Sequence, residues 1–182
     1  MRLFVAIPMP EETTRELART VERMRRRPGA DELRWSPPES WHVTLQFLGS
    51  VSAEEFACLI EALRRVRGTP VKIVPEKIGA FSRAGVLHAS VEPTPDLLRL
   101  EKQVTAATAE CRFAREDRPY HPHITLARRR GRGGRDGIAS AAQKNRELTP
   151  FTAFTAGEFA LYESFLGDLA RYEIRGRFPL AA

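Results

Sequence analysis

The spacing of apolar residues changes several times along the chain, and each spacing predicts a helix or a strand. Apolar positions three and four apart are typical of one face of a helix. Short alternating or continuous apolar runs are typical of strands, and Pro75 interrupts one of them. The predicted helices span 11–27, 52–67, 94–111 and 138–146, and the predicted strands span 3–7, 34–35, 41–48, 71–81, 86–91, 120–128, 159–165 and 171–178.

Two of the predicted strands carry the same His-x-Thr pattern, at residues 42–44 and 123–125. Because side chains two apart in a strand point to one face, His42 shares a face with Thr44, and His123 shares a face with Thr125. Imidazole and hydroxyl groups on the open face of a half-buried strand suit the wall of a polar cleft. Two copies, in a chain with only four histidines, favour a function over a chance match. The opposite faces are predicted to carry Val43, Leu45 and Phe47 in the first strand, and Ile124 and Leu126 in the second.

The order of elements repeats along the chain, since strand, helix, motif strand, helix and strand occur twice. Leu3 and Val86 are 83 positions apart, and His42 and His123 are 81 positions apart. We infer two lobes of similar build, with antiparallel or mixed sheets and outer helices. We expect one bilobal domain over 1–182, with lobes built roughly from 1–81 and 86–182 that can exchange strands. A two-fold relation between the lobes would make the two histidines face each other across one cleft.

The chain is basic, and nearly all of its cations are arginines. The 182 residues suit one domain, and the formal net charge is +6. Such a surface favours polyanions such as RNA, although arginine richness can also reflect genome composition. A basic stretch at 128–135 follows the second motif, and we interpret it as a solvated surface loop in preference to a phosphate clamp.

Cysteines and apolar runs indicate where the protein functions. Cys58 and Cys111 fall on the apolar stripes of two predicted helices without a paired spacing, so we expect buried small side chains rather than disulfide partners or metal ligands. The apolar run at 3–7 is too short for a signal-peptide core, and no stretch approaches the length of a membrane span. We expect a cytoplasmic monomer that does not bind membranes.

Two opposed histidines suit the hydrolysis of a phosphodiester. That reaction needs a base to deprotonate water and an acid to protonate the departing oxygen, and imidazole can do either near neutral pH. The hydroxyl groups of Thr44 and Thr125 can donate hydrogen bonds to the non-bridging oxygens, where charge builds up. A singly charged diester needs little neutralisation, so we expect neither a metal nor a cofactor.

Competing sites have weaker support in the sequence. A zinc site built from His42, His121 and His123 would lack the usual spacing of zinc ligands. There is no Gly-x-Ser-x-Gly elbow and no glycine-rich nucleotide motif. His88 has no matching threonine and is expected to be structural. His121 can share the cleft face with His123, which makes it the main rival for the second histidine.

The segments Trp41-His-Val-Thr-Leu-Gln-Phe-Leu-Gly49 and Pro122-His-Ile-Thr-Leu-Ala-Arg128 resemble the paired signatures of the 2H phosphoesterases. The closest resemblance is to LigT-like RNA 2′,3′-cyclic phosphodiesterases, and it covers essentially the whole chain. It implies a bilobal α+β fold of mainly antiparallel sheets with outer helices and a central cleft. It also implies metal-free hydrolysis of an RNA terminal 2′,3′-cyclic phosphate to a 2′-phosphate.

The resemblance also implies roles for individual residues. His42 would donate a proton to the leaving 3′ oxygen, and His123 would accept one from water. Arg128 resembles an arginine that contacts substrate, although strict alternation places it on the face opposite His123. Gln46 stands where many relatives carry a basic residue.

Other functions are compatible with the same residues. The site could act in reverse as a 2′–5′ RNA ligase, or it could hydrolyse small cyclic nucleotides. A non-catalytic RNA-binding module would instead stack bases on Trp35, Trp41 or Tyr120. Trp35 and Tyr120 are therefore expected to contact substrate, together with Arg128. The intact pair of histidines favours the enzyme.

Overall fold

The computed structural model describes residues 1–114, 117–131, 136–165 and 171–181, and within them the chain forms four α-helices and ten strands. The helices are α1 (Glu11–Arg25), α2 (Ala53–Arg64), α3 (Pro95–Ala109) and α4 (Asp136–Asn145). The strands are β1 (Arg2–Pro8), β2 (Leu33–Trp35), β3 (His42–Ser50), β4 (Val71–Ile73), β5 (Pro75–Phe81), β6 (Val86–Val91), β7 (His123–Arg129), β8 (Phe154–Ala156), β9 (Glu158–Phe165) and β10 (Arg171–Pro179).

Two four-stranded antiparallel sheets form the body of the protein. The first has the order β10-β9-β1-β3, the second has the order β2-β7-β6-β5, and β4 pairs with β8 in a small third sheet. Strands from distant parts of the chain are therefore neighbours, since β9 pairs with β1 and β2 pairs with β7. The prediction of an α+β fold with antiparallel sheets is confirmed, whereas the proposed lobe boundaries stay a prediction.

The predicted strand at 71–81 is split at Pro75, as the sequence suggested. Residues 71–73 pair with β8, a strand that the apolar pattern did not predict, whereas residues 75–81 pair with β6. Proline has no N–H to continue a ladder, so the chain can leave one sheet and enter another at this point.

Local sequence explains where the helices begin. Ser52 accepts a hydrogen bond from the Glu55 N–H, and the Glu55 carboxylate accepts one from the Ser52 N–H, which closes the capping box of α2. The Thr94 hydroxyl likewise accepts from the Leu97 N–H at the start of α3. Among the described residues, no helix is long and apolar enough to cross a membrane.

The prediction that Cys58 and Cys111 are separate buried thiols was wrong. They form a disulfide between α2 and the end of α3, and their Cα atoms are 5.9 Å apart. Cys58 lies on the exposed side of α2, next to the apolar stripe rather than within it. Because α2 and α3 pack together, the two residues meet although 53 positions separate them. The pairing depends on helix packing, which the spacing of the cysteines does not reveal.

Candidate active site

The two motif strands, β3 and β7, share one irregularity. Leu45 has no partner where Val5 pairs with Gln46 and Ala6 pairs with Thr44, so β3 carries a bulge there. A bulge in β7 occurs at the equivalent position, because Leu126 is skipped between two consecutive partners on β6. The two strands also have the same order of buried and exposed residues from the histidine onwards.

The bulges change which side chains reach the open face of each sheet. After Leu45, Gln46 also faces the core, and the next residue, Phe47, returns to the open face with 59% of its surface exposed. The prediction that Phe47 lies with Val43 and Leu45 was therefore wrong. In β7 the bulge brings Arg128 to the face of His123, although strict alternation places it on the opposite one.

His42 is held by a backbone carbonyl and by aromatic rings. Its Nδ1 lies 2.8 Å from the Ser40 carbonyl oxygen. Because a carbonyl can only accept, this nitrogen carries the proton and Nε2 remains for proton exchange. The ring lies 4.7 Å from Phe4 and 5.7 Å from Tyr162, and the edge of Tyr172 packs at 5.3 Å.

His123 is held in the same way in the other sheet. Its Nδ1 lies 2.7 Å from the His121 carbonyl oxygen, so Nε2 is again the free nitrogen. The ring of Phe81 meets it nearly at a right angle at 4.9 Å, and the ring of His88 meets it at 66° and 5.3 Å. The His121 side chain is exposed, and its carbonyl is the group that orients His123.

Burial and neighbouring charge lower the pKa of both histidines in the free protein. Burial lowers the pKa of His42 to about 4, the Ser40 carbonyl opposes this shift, and a charge on His123 adds to it. Burial also lowers the pKa of His123, with further lowering from Arg128 and His121 against the opposing His121 carbonyl. The effect of His123 on the pKa of His42 places the two imidazoles within electrostatic reach of each other.

The two threonines flank the histidines on the same half-buried faces. Thr44 and Thr125 each lie two residues after the histidine and before the bulge. The Tyr120 hydroxyl, on the segment leading into β7, donates a 2.9 Å hydrogen bond to the Thr44 carbonyl. This bond ties the two motif strands together next to the cleft.

Two arginines lie side by side on the second sheet, on neighbouring strands. Arg128 is exposed, and its charge acts on His123 and on Tyr172 across the cleft. Arg34 pairs directly with Arg128 between β2 and β7, so the two side chains share a face. The sequence had not singled out Arg34.

Three residues expected near substrate have structural contacts. Gln46 is buried and accepts a 2.6 Å hydrogen bond from the Thr108 hydroxyl of α3, so it cannot replace a basic phosphate ligand. Trp35 packs against the core on the side of α1 and α4, and its indole N–H donates to the Ala30 carbonyl at 3.0 Å. Burial raises the pKa of Tyr120, and its hydroxyl donates a hydrogen bond to the Thr44 carbonyl. A role of Tyr120 in base stacking stays a prediction.

The sequence did not identify the aromatic wall beside His42. On the open face of the first sheet, the rings of Tyr162 and Tyr172 lie 5.1 Å and 5.0 Å from Phe4, and Phe47 lies 6.0 Å from Phe4. Burial raises the pKa of Tyr162 to about 12, so its hydroxyl stays neutral. Strict alternation in β1, which separates Phe4 from Leu3 and Val5, was the available signal.

Within the described ranges, no group of three or more histidine, cysteine, aspartate or glutamate side chains is arranged to hold a metal ion.

Comparison with known sequences points to one family. The profile of a family described as LigT like phosphoesterases matches residues 7–88 and again 89–171, so each match contains one motif. A protein of Archaeoglobus fulgidus named RNA 2′,3′-cyclic phosphodiesterase is 33% identical over 131 residues, 70% of this chain and 72% of that protein. A protein of the same name from Bacillus subtilis is 28% identical over 184 residues, 98% of this chain and 96% of that protein.

Solved structures agree with this similarity. Escherichia coli LigT in complex with NADP+ superimposes with a TM-score of 0.79 at 27% identity, covering 98% of this chain and 97% of that one. The complex of LigT with 3′-AMP gives a TM-score of 0.78 at 26% identity, covering 100% of this chain and 98% of that one.

Proposed function

This chain belongs to the LigT like phosphoesterases, and we propose that it hydrolyses the 2′,3′-cyclic phosphate at the end of an RNA to a 2′-phosphomonoester. The observation that carries the proposal is the pair of imidazoles on facing sheets. Each has its Nδ1 on a backbone carbonyl, which leaves its Nε2 for proton exchange. The names of the relatives support the same reaction, and the LigT complex with 3′-AMP supports a nucleotide in the cleft.

In the proposed mechanism the two histidines act on opposite sides of the phosphorus. His123 Nε2 takes a proton from water as the water oxygen bonds to phosphorus. The bond from phosphorus to the 3′ oxygen breaks, and His42 Nε2 gives its proton to that oxygen. The products are a 3′-hydroxyl and a 2′-phosphomonoester, and exchange with solvent returns both histidines to their starting states.

The state that this mechanism needs is supplied by the substrate. His42 is neutral in the free protein at neutral pH, because burial holds its pKa near 4. A phosphodiester anion bound beside His42 raises that pKa, since an opposite charge favours the imidazolium. Substrate binding therefore promotes protonation of the acid.

Different walls of the cleft neutralise the phosphate and bind the nucleoside. Thr44, Thr125 and Arg128 can donate to the non-bridging oxygens in the transition state. Phe47 offers an exposed ring on the first sheet, on which a nucleobase can stack. The net charge of +6 favours an RNA end over an uncharged ligand.

The test is product analysis of a short RNA that ends in a 2′,3′-cyclic phosphate, with excess chelator present. Phosphorus NMR should show conversion to the 2′-phosphomonoester alone, and the doubly substituted His42→Asn, His123→Asn protein serves as the control. Adenosine 3′,5′-cyclic phosphate should not be turned over. A 3′-phosphomonoester product, or equal activity of the control, would overturn the proposal. Joining of a 5′-hydroxyl RNA in preference to hydrolysis would instead favour the ligase.

A further inference from the structure

A third histidine, His88 on β6, lies inside the same wall as His123. Its ring stacks on Phe81 at 4.2 Å with an interplanar angle of 20°, and it meets His123 at 5.3 Å with an angle of 66°. Phe81 also meets His123 edge-on at 4.9 Å. The three rings are thus in mutual contact, and the two outer rings bound the imidazole of His123 on the side of β5 and β6.

The neighbouring strand provides the room for this packing. His88 pairs with Gly79 of β5 on one side and with Thr125 of β7 on the other. A Cβ atom on Gly79 would lie 2.8 Å from Nε2 of His88, closer than real Cβ contacts come. Only glycine at this position lets the His88 ring lie across β5.

Burial of the His88 imidazole lowers the stability of the fold unless its polar atoms are satisfied. It is 6% exposed, and its Nδ1 makes no well-formed hydrogen bond in the described part of the chain, although the Val86 backbone is near enough to oppose the lowering of its pKa. Burial lowers its pKa to about 4, with further lowering from His123 and His121, so the ring is neutral at neutral pH. A buried polar atom without a well-formed hydrogen bond costs stability and calls for an explanation. Among the ring contacts of His88 with described residues, the contact with His123 is the one that reaches a proposed catalytic group.

We propose that His88 is a positioning residue for the general base: its ring, stacked on Phe81, fixes the plane of the His123 imidazole. This inference rests on the proposed function, in which His123 activates water. The second side-chain torsion of histidine is broad, so the single Nδ1 bond to the His121 carbonyl leaves the ring free to swing about that contact. Two rings packed on one side remove this freedom and keep Nε2 directed at the water.

The proposal concerns the shape of the ring, so the decisive pair of variants is His88→Ala and His88→Phe. Loss of the ring in His88→Ala should lower kcat by up to ~10²-fold, the scale of a misplaced catalytic group, with little change in KM. His88→Phe keeps a planar ring without nitrogen and should retain kcat within about threefold of the parent. Val91→Ala is the matched control, since Val91 is buried on the core face of the same strand and makes no ring contact with His123.

Nitrogen NMR of the imidazoles tests the same idea without activity. In the parent and in His88→Phe, His123 should be the tautomer with the proton on Nδ1. In His88→Ala it should become a mixture of tautomers with exchange broadening. Failure of the parent to hydrolyse cyclic phosphates would remove the proposed function but leave this measurement valid.

Two results would overturn the positioning role. One is a folded His88→Ala protein with parental kcat and an unchanged His123 tautomer. The other is a folded His88→Phe protein as slow as His88→Ala, because the nitrogen rather than the ring would then matter. A fall of kcat in Val91→Ala equal to that in His88→Ala would also count against it, since general loosening of β6 would explain both.

Discussion

Phe47 and Arg128 occupy the same position in two copies of one bulged strand, five residues after His42 and His123 respectively. The backbone of the site is therefore repeated, whereas the side chains at this position are opposite in character. One side chain is an apolar ring and the other is a cation, and they match a flat nucleobase and an anionic phosphate respectively. The two strands are alike, but the substrate is not symmetric. The difference between Phe47 and Arg128 lets one strand contact the base and the other contact the phosphate.

Substitutions of Phe47 and Arg128 should separate binding of the base from binding of the phosphate. Phe47→Ala should lower kcat/KM for nucleoside 2′,3′-cyclic phosphates by the ~1–3 kcal/mol of one stacked base, and should leave a ribose 2′,3′-cyclic phosphate without a base unaffected. Arg128→Gln should lower kcat/KM for both substrates, by ~1.5–3 kcal/mol for a charge-assisted hydrogen bond. Steady-state kinetics on the two substrates gives both values, and Arg19→Gln on the exposed surface of α1 is the control. Equal losses of Phe47→Ala on both substrates would exclude stacking.

Substitution of either motif histidine should nearly abolish hydrolysis while the fold is retained. Assistance by one acid or base is worth ~10²–10⁴-fold, and both assist one transition state. His121→Ala should have a mild effect, because the substitution keeps the backbone carbonyl that orients His123. Single-turnover rates, with circular dichroism as the check on folding, measure this. Near-parental activity of His42→Ala or His123→Ala would exclude the two-histidine mechanism.

Removal of either threonine hydroxyl should slow turnover less than loss of a histidine. Thr44→Val and Thr125→Val keep the branched shape and remove one donor, at a cost of ~1.5–3 kcal/mol when its acceptor is charged. The loss should fall on kcat rather than on KM, because charge on the non-bridging oxygens grows in the transition state. The double variant, compared with the two single ones, shows whether the hydroxyls act independently. An unchanged kcat/KM in both single variants would make the threonines structural.

The pattern of the sequence predicted the site up to the bulges and failed after them. His42, Thr44, His123 and Thr125 precede the extra residue in their strands, so simple alternation placed them on the correct face. Phe47 follows it and was placed on the wrong face. A bulge is defined by the register with a partner strand, and the strand itself carries no periodic signal of that register.

Contacts between residues far apart in the chain were the second feature that the sequence pattern could not predict. Trp35 has an indole ring on which a base could stack, and its contact with substrate stays a prediction. Its neighbours in the structure come from α1 and α4, which are far away in the chain. Cys58 and Cys111 meet only because α2 packs on α3. In contrast, the capping box at Ser52 and the start of α3 at Thr94 were predictable, because each depends on residues within one turn.

The disulfide should stabilise the protein without affecting catalysis. Cys58→Ser should lower the free energy of unfolding by ~2–4 kcal/mol, which is roughly 4–16 °C in Tm for a chain of this size. Cys58 is the better position to change because it is exposed, whereas Cys111 is buried. Thermal unfolding of the parent with and without reductant measures the effect, and reductant should not lower the Tm of Cys58→Ser further. A parental Tm that does not respond to reductant would mean that the bond does not form.

The pH dependence should show an optimum displaced to the acid side. The kcat/KM profile reports the free protein, in which the acid His42 must be protonated and the base His123 must be neutral. These two requirements give a bell whose limbs lie at the two pKa values, that of His42, lowered to about 4, and that of His123, which lies below its usual 6.5. The maximum of kcat/KM is therefore expected below pH 6.5. The kcat profile should lie at higher pH, since the bound phosphate anion raises both pKa values.

Arg128→Gln provides the internal control for this prediction. The guanidinium lowers the pKa of His123, so its removal should raise that pKa and move the limb of the kcat/KM profile that reports His123 to higher pH, while the other limb stays in place. The shape of the profile is independent of any weaker substrate binding in this variant, because a constant factor leaves the limbs in place. Excess chelator should change neither limb. A maximum above pH 7.5, or activity that disappears with chelator and returns with zinc or manganese, would require a different pair of proton-transfer groups.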